Sequence, residues 1–221
     1  GYRVLISPSK GVSAWTWSPD GKQGLYVYPI FNPSTGADVD SIFKLNIDST
    51  AAIQLTDDSS NSGVPAWSPD GNYIAFAKYR ESNPQNNGIY LMRSDGSAKV
   101  QLTKGGLYPT WSPDNTQIAY AMYTGSDANG SRIYVTGIDG SKTVQITNIY
   151  SRSPAWSPDG KQIAFICIVD NASGICTINK DGSGLKMIVK SGFYAIDSLH
   201  ISWSPDGEYI AYATGNPFCF L

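Results

Sequence analysis

One histidine, three cysteines and a scatter of carboxylates are the reactive side chains of this 221-residue chain. The histidine is His200. With Asp197 and Tyr194 it forms the one plausible cluster of a base and an acid, the pairing a lyase or hydrolase needs. No G-x-S-x-G, H-E-x-x-H, P-loop or paired C-x-x-C is present, so a serine or metal hydrolase is not expected. A glycosidase needs two carboxylates facing each other across the scissile bond. The segments SAWTW, GVPAW, LYPTW, RSPAW and HISW, which would line a central channel, contain neither Asp nor Glu. Asp38 and Asp40 share one predicted loop and Asp57-Asp58 another, without calcium-loop spacing. No metal and no cofactor is therefore expected. Cys167 and Cys176 flank a tight turn around NASG. If the hairpin register sets them opposite, a disulfide can form in an oxidising compartment; the alternative is a pair of buried free thiols. Cys219 has no evident partner. Asn129-Gly130-Ser131 and Asn171-Ala172-Ser173 match glycosylation sequons, which polar turns also produce by chance.

The elements that must carry these residues announce themselves by repetition. WSPDG begins at Trp17, Trp67, Trp156 and Trp203, and WSPDN at Trp111. Self-similarity at roughly 40–50 residues marks an array whose units bury apolar faces against one another. Within each unit the apolar runs are short, rich in Ile, Val, Phe and Tyr, and bounded by Gly, Pro, Asn, Asp or Ser, which is a strand pattern. No stretch has helical periodicity. Four strands follow per unit: A (the PAW type), B (Ile74-Ala75-Phe76, Ile118-Ala119-Tyr120, Ile163-Ala164-Phe165, Ile210-Ala211-Tyr212), C (Ile89-Tyr90-Leu91, Ile133-Tyr134-Val135) and D (Gln54-Leu55-Thr56, Gln101-Leu102-Thr103, Gln145-Ile146-Thr147). The first B strand departs with Gly24-Leu25-Tyr26, and the fourth D strand with Met187-Ile188-Val189. SPDG reads as the A–B turn. Pro presets its second position and Gly supplies a left-handed residue. Asn115 stands in for that Gly in the third copy, as the best non-glycine substitute.

These strings resemble the WSPDG-type repeat of TolB-like, WD-like β-propellers, including those attached to prolyl-oligopeptidase-like proteases. The resemblance covers nearly the whole chain and implies an all-β, five-bladed propeller with four antiparallel strands per blade. The expected blades span about 14–56, 64–103, 108–147, 153–189 and 200–221 plus 1–7, in one domain over 1–221. Tyr2–Ser7 is predicted to pair with Phe218–Leu221, so that the N-terminal strand completes the last blade and closes the ring. The motif tryptophans are expected to pack between blades.

Function is then expected where the repeat varies. In such a ring the D–A and B–C loops share one rim, and here they carry the insertions: about Pro29 to Ser41 in the first unit and Arg80 to Gly88 in the second. The D–A loops are predicted to hold Trp15, Tyr108, Tyr150, Phe193 and Tyr194, with Arg152, Asp197 and His200 on the same rim. Trp15 replaces Pro65, Pro109, Pro154 and Ile201 of the other copies. These eight residues are the candidate ligand site, as aromatics with a few polar groups at a channel mouth. The alternative is that their rings simply pack. The expected role is a non-enzymatic scaffold, monomeric, periplasmic or secreted, binding a protein or peptide partner. A glycan-binding propeller is the alternative, and a propeller lyase or hydrolase the second. Net charge −2 and the absence of basic runs argue against nucleic acid. No stretch approaches 18 apolar residues, which argues against membrane insertion.

Overall fold

Short apolar runs separated by Gly, Pro, Asn and Asp do become strands. The computed structural model describes residues 11–49, 51–57, 61–80, 83–125, 130–191 and 201–212. The first sheet is β1 (Ser13–Trp17), β2 (Gln23–Asn32), β3 (Ala37–Asn46) and β4 (Ala52–Gln54). The second is β5 (Asn61–Trp67), β6 (Tyr73–Tyr79), β7 (Gly88–Arg93) and β8 (Val100–Gln101). The third is β9 (Leu107–Trp111), β10 (Gln117–Tyr123), β11 (Ser131–Gly137) and β12 (Val144–Gln145). The fourth is β13 (Tyr150–Trp156), β14 (Gln162–Val169), β15 (Ala172–Asn179) and β16 (Lys186–Ser191), and β17 (Ile201–Trp203) pairs with β18 (Ile210–Tyr212). Each sheet is a meander in chain order, with antiparallel pairing. The described residues contain no α-helix and one 3-10 turn, Pro84–Asn86. The chain divides into two compact units, 1–109 and 110–221. The predicted closing pair, Tyr2–Ser7 with Phe218–Leu221, lies outside the described residues, as do Cys219 and Asn129.

The repeated phrase is a hydrogen-bond circuit. In every copy the Ser hydroxyl donates to the Asp carboxylate two residues on: Ser18 to Asp20, Ser68 to Asp70 and Ser112 to Asp114 at 2.6 Å, Ser157 to Asp159 at 2.7 Å and Ser204 to Asp206 at 2.5 Å. The same Ser oxygen accepts from the backbone N–H five residues on, at 2.9 Å in each copy. The Asp also accepts from the N–H two residues after it, at 3.0–3.1 Å. The turn is a type I turn closed by a left-handed residue, a three-to-five-residue hairpin geometry. That residue is Gly21, Gly71, Gly160 or Gly207 at φ 67–75°, and Asn115 at φ 60°. The Asn-for-Gly substitution sits where the turn needs it.

Packing between sheets uses the motif tryptophans. Trp67 of the second sheet is buried with Leu25, Val27 and Ile42 of the first and Ile74, Phe76 and Met92 of its own. Trp203 packs beside Ala155, Ile166 and Ile175 of the fourth sheet, and its indole N–H donates to the Ala155 carbonyl at 3.1 Å. Trp111 and Trp156 are buried as well, whereas Trp17 is 46% exposed.

Four local readings change. The outermost strands of the first three sheets end two residues earlier than the QLT pattern suggested, at Gln54, Gln101 and Gln145. The buried Thr then closes the ladder with its side chain: Thr56, Thr103 and Thr147 accept from the N–H of Ile42, Ile89 and Ile133 at 2.9–3.0 Å. In the fourth sheet Val189 stands where that Thr would be and has no hydroxyl. The backbone bulges instead, Val189 pairs with Ile175, and β16 becomes the longest strand of its type. The predicted loop Pro29–Ser41 is an extended hairpin, with ten-residue β2 and β3 joined at Pro33–Gly36. Asn32 holds its turn, its Oδ1 accepting from Ser34 N–H at 2.8 Å, so Asp38 and Asp40 are strand residues. The hairpin before Cys176 turns at Asp170-Asn171, both left-handed, rather than around NASG. Two consecutive left-handed residues match the strand twist of a two-residue hairpin.

Candidate functional site

That register decides the cysteines. Cys167 faces Gly174 and Cys176 faces Phe165, so the two lie diagonally across β14 and β15 on one face. They form a disulfide with Cα atoms 5.9 Å apart, and both are fully buried. Gly174 lets the crossing chain approach, since a Cβ there would meet the Val189 carbonyl and the Met187 side chain.

Of the eight predicted site residues, four are described, and all four lie on strands rather than loops. Trp15 is in β1, Tyr108 in β9, and Tyr150 and Arg152 in β13. β1 and β9 begin four residues before their tryptophan, and β5 and β13 six, which absorbs the expected D–A loops there. Tyr108, Tyr150 and Arg152 are half-buried. Phe193, Tyr194, Asp197 and His200 lie outside the described residues.

Trp15 has a packing partner that the sequence hides in plain view. Its ring stacks on Tyr26 at 5.7 Å and meets Trp17 edge-on at 5.3 Å; Tyr26 in turn stacks on Phe43 at 5.4 Å. Burial raises the Tyr26 phenol pKa above its ordinary value. The indole lies over Gly24, where the other copies carry Ile. A Cβ at Gly24 would sit 2.8 Å from Trp15 Cη2 and closer still to Cζ2. The two departures of the first copy, Trp for Pro and Gly for Ile, thus compensate each other. Trp15 keeps 38% of its surface exposed beside Trp17.

A second group on the first unit was not anticipated. The Tyr79 hydroxyl donates to Asp40 Oδ2 at 2.7 Å, and the Asp40 N–H donates to Asn61 Oδ1 at 3.2 Å. The extended β2–β3 hairpin carries Asp40 to the end of β6, where Tyr79 lies. Gly63 makes room, since a Cβ there would lie 3.0 Å from the Tyr79 oxygen. The Arg80 guanidinium stands 6.0 Å from the Tyr79 ring centre. Burial, then the hydrogen bond and charge of Asp40, raise the Tyr79 phenol pKa strongly; Tyr108 adds to the effect. The phenol is a neutral donor at physiological pH. A glycine inside a strand pattern was the available signal, marking a close approach.

The edge strand of each four-stranded sheet also bears a left-handed residue three positions before its tryptophan: Ala14 (φ 52°), Val64 (51°), Tyr108 (57°) and Ser153 (52°). One extra residue bulges there in β1, β5 and β13. The other end of the first sheet holds a groove of about 380 Å³, lined by Asp20, Lys22, Gln23, Asn46, Ile47, Asp48 and Ser49. Among the described residues no three His, Cys, Asp or Glu side chains are grouped to hold a metal, and no helix is long and apolar enough to cross a membrane.

Comparison with known proteins bears on the repeat. Residues 88–217, more than half of the chain, match the TolB beta propeller domain family. A 65-residue stretch is 38% identical to dipeptidyl-peptidase 5 of Porphyromonas gingivalis, covering 29% of this chain and 10% of that protein. A 66-residue stretch is 36% identical to the TolB homolog of Chlorobaculum tepidum, covering 30% of this chain and 14% of that one. These matches span a small part of the curated relatives. A solved structure of a TolB-type protein from Agrobacterium tumefaciens superposes with a TM-score of 0.79 at 23% identity, over 99% of this chain and 75% of its own.

Proposed function

Because this chain belongs to the TolB β-propeller domain family, we propose that it is a non-enzymatic scaffold binding a peptide or protein partner at the end of the sheets opposite the WSPDG turns. Fold alone does not assign a ligand, so the reading rests on a site. The observation that carries it is the Asp40–Tyr79–Asn61 group, with Gly63 making room for the Tyr79 hydroxyl. It offers a carboxylate, a neutral phenol, an amide and an aromatic face on rigid strands, and none of them belongs to the repeat. A relative named as a dipeptidyl-peptidase adds weight to a peptide ligand. The proposal includes five blades, the last completed by the N-terminal strand, and a monomer. It includes a periplasmic or secreted location, which the disulfide supports because such bonds form and persist in oxidising compartments.

The test is to pan a random dodecapeptide phage library on the immobilised protein and map the selected peptide by hydrogen exchange. Protection is expected at 61–64, 79–80 and 107–109. Protection confined to 18–23 and 68–73, or no selected peptide, refutes the reading. The exposed pair Trp15 and Trp17 favours a second reading, a glycan stacked on their faces, which a glycan array tests.

A further inference from the structure

We propose that Val64 and Tyr108, each three positions before a motif tryptophan, are specificity-determining positions for the peptide ligand, with Val64 doing this next to the Gly63–Tyr79 contact and its Asp40 partner. The inference rests on the peptide-binding reading above and adds which side chains discriminate. In all four described four-stranded sheets the residue at this position is held at φ 51–57°. L side chains rarely tolerate that conformation, and a β-branched residue such as Val64 tolerates it least. Strain of this kind persists only where the surroundings enforce it, and it concentrates at ligand sites.

The chain knows the inexpensive solution. Four residues after the tryptophan, where a left-handed residue is also needed, it uses Gly in four copies and Asn in the other. Three residues before the tryptophan, in the same repeat, neither appears. The position carries Ala14, Val64, Tyr108 and Ser153, and His200 in the fifth copy by sequence. A methyl, an isopropyl, a phenol, a hydroxyl and an imidazole share no packing role. In three of the five copies the next residue is Pro (Pro65, Pro109 and Pro154), followed by Ala66, Thr110 and Ala155, whereas the first copy has Trp15-Thr16 and the fifth Ile201-Ser202. A position strained in every described copy, never relieved by glycine, and different in chemistry each time has the pattern of residues kept for what they touch.

Access agrees with this. Ala14, Val64 and Tyr108 are partly exposed. Ser153 is buried, and its hydroxyl has no hydrogen-bond partner among the described residues. A β-bulge re-aims the side chain it carries, and bulges recur next to binding sites. In the first unit Val64 stands next to the polar group already described, because a Cβ on the adjacent Gly63 would lie 3.0 Å from the Tyr79 hydroxyl oxygen.

The experiment uses the full chain and a dye-labelled synthetic copy of the peptide selected on it. Val64→Gly and Tyr108→Gly relieve the left-handed strain, so the urea midpoint is expected to hold or rise. Affinity for the labelled peptide is expected to fall at least tenfold in each. A structural role would do the reverse, lowering the midpoint. Panning the exchange variant V64Y/Y108V is expected to yield a different consensus peptide. A lowered midpoint, affinity within twofold of the parent, or an unchanged consensus overturns the inference. Selection of no peptide at all, or of one that protects only the WSPDG turns, overturns instead the binding reading on which it stands.

Discussion

The Trp15–Gly24 pair predicts a mutation whose effect reverses sign with its background. In the parent chain Gly24→Ala drives a methyl into the Trp15 ring, 2.8 Å from Cη2 and nearer still to Cζ2. The indole is clamped between Tyr26 and Trp17, so it has little room to give. Overpacking of this kind costs about 1–3 kcal/mol. Trp15→Ala alone loses the stacking and part of the burial. A buried Trp is worth about 3–5 kcal/mol, and the exposed third of this side chain brings the expectation to roughly 2–3 kcal/mol. Once Trp15 is gone nothing opposes the methyl. Gly24 has no left-handed φ, so alanine then stabilises by about 0.4–1 kcal/mol through the unfolded chain. The double-mutant cycle should therefore give a coupling of roughly 2–3 kcal/mol, read from urea denaturation of the four proteins. Additivity to within about 0.5 kcal/mol would refute the compensation and return Trp15 to the pool of residues with no structural duty.

Ser68→Ala removes both the hydroxyl donated to Asp70 and the acceptor for the Tyr73 N–H, at an expected cost of about 1 kcal/mol. The Ser68 hydroxyl is the largest cause holding the Asp70 carboxyl below its ordinary 3.8, so NMR titration should find that value raised in the variant. A carboxylate depressed in the folded state stabilises above its unfolded pKa and stops doing so as pH falls through its folded one. The stability gap between parent and variant should accordingly be full at neutral pH and shrink below about 3.8; a gap constant into acid would contradict the circuit. Replacing Cys167 and Cys176 together by Ala should cost about 2–3 kcal/mol, since the bridge closes a short loop. In the parent the bridge is buried, so labelling of Cys167 and Cys176 after dithiothreitol treatment, read by peptide mapping, should become fast only at denaturant concentrations that unfold the chain, and fast labelling of either in the native protein would refute its burial.

What was legible beforehand was whatever repeats. Five copies of one phrase located the turns, and the lone Asn115 served as an internal check, because its backbone angle matches the glycines it replaces. The Thr of QLT was visible as a pattern but not as a ladder partner, since a side chain substituting for the backbone leaves no periodicity. The elongated β2–β3 hairpin was hidden because Pro29 and Pro33 punctuate it like a loop, while pairing from Gln23 to Asn32 is set by the partner strand. The Asp40–Tyr79 contact joins residues 39 apart in chain from different sheets. No local rule reports such a contact. The left-handed series was unreadable for the opposite reason: Ala, Val, Tyr and Ser are the residues that a local rule would exclude from that conformation. The candidate site thus lay mostly beyond the sequence, and Tyr108 was reached for its ring rather than its backbone.

The same division limits where chemistry can reside. Each repeated Asp accepts from a serine hydroxyl and a backbone N–H, and each carboxyl is held below its ordinary range by those bonds. Such a group is ionised at neutral pH and already satisfied, a poor proton donor and an occupied acceptor. The repeated serines are spent in the same circuit, and Trp67, Trp111 and Trp156 are buried. Apart from Trp17, which is 46% exposed, these invariants of the repeat are consumed in making the blade. A ligand must then be met by residues that differ between copies, and in the first unit those stand at the opposite end of the sheets.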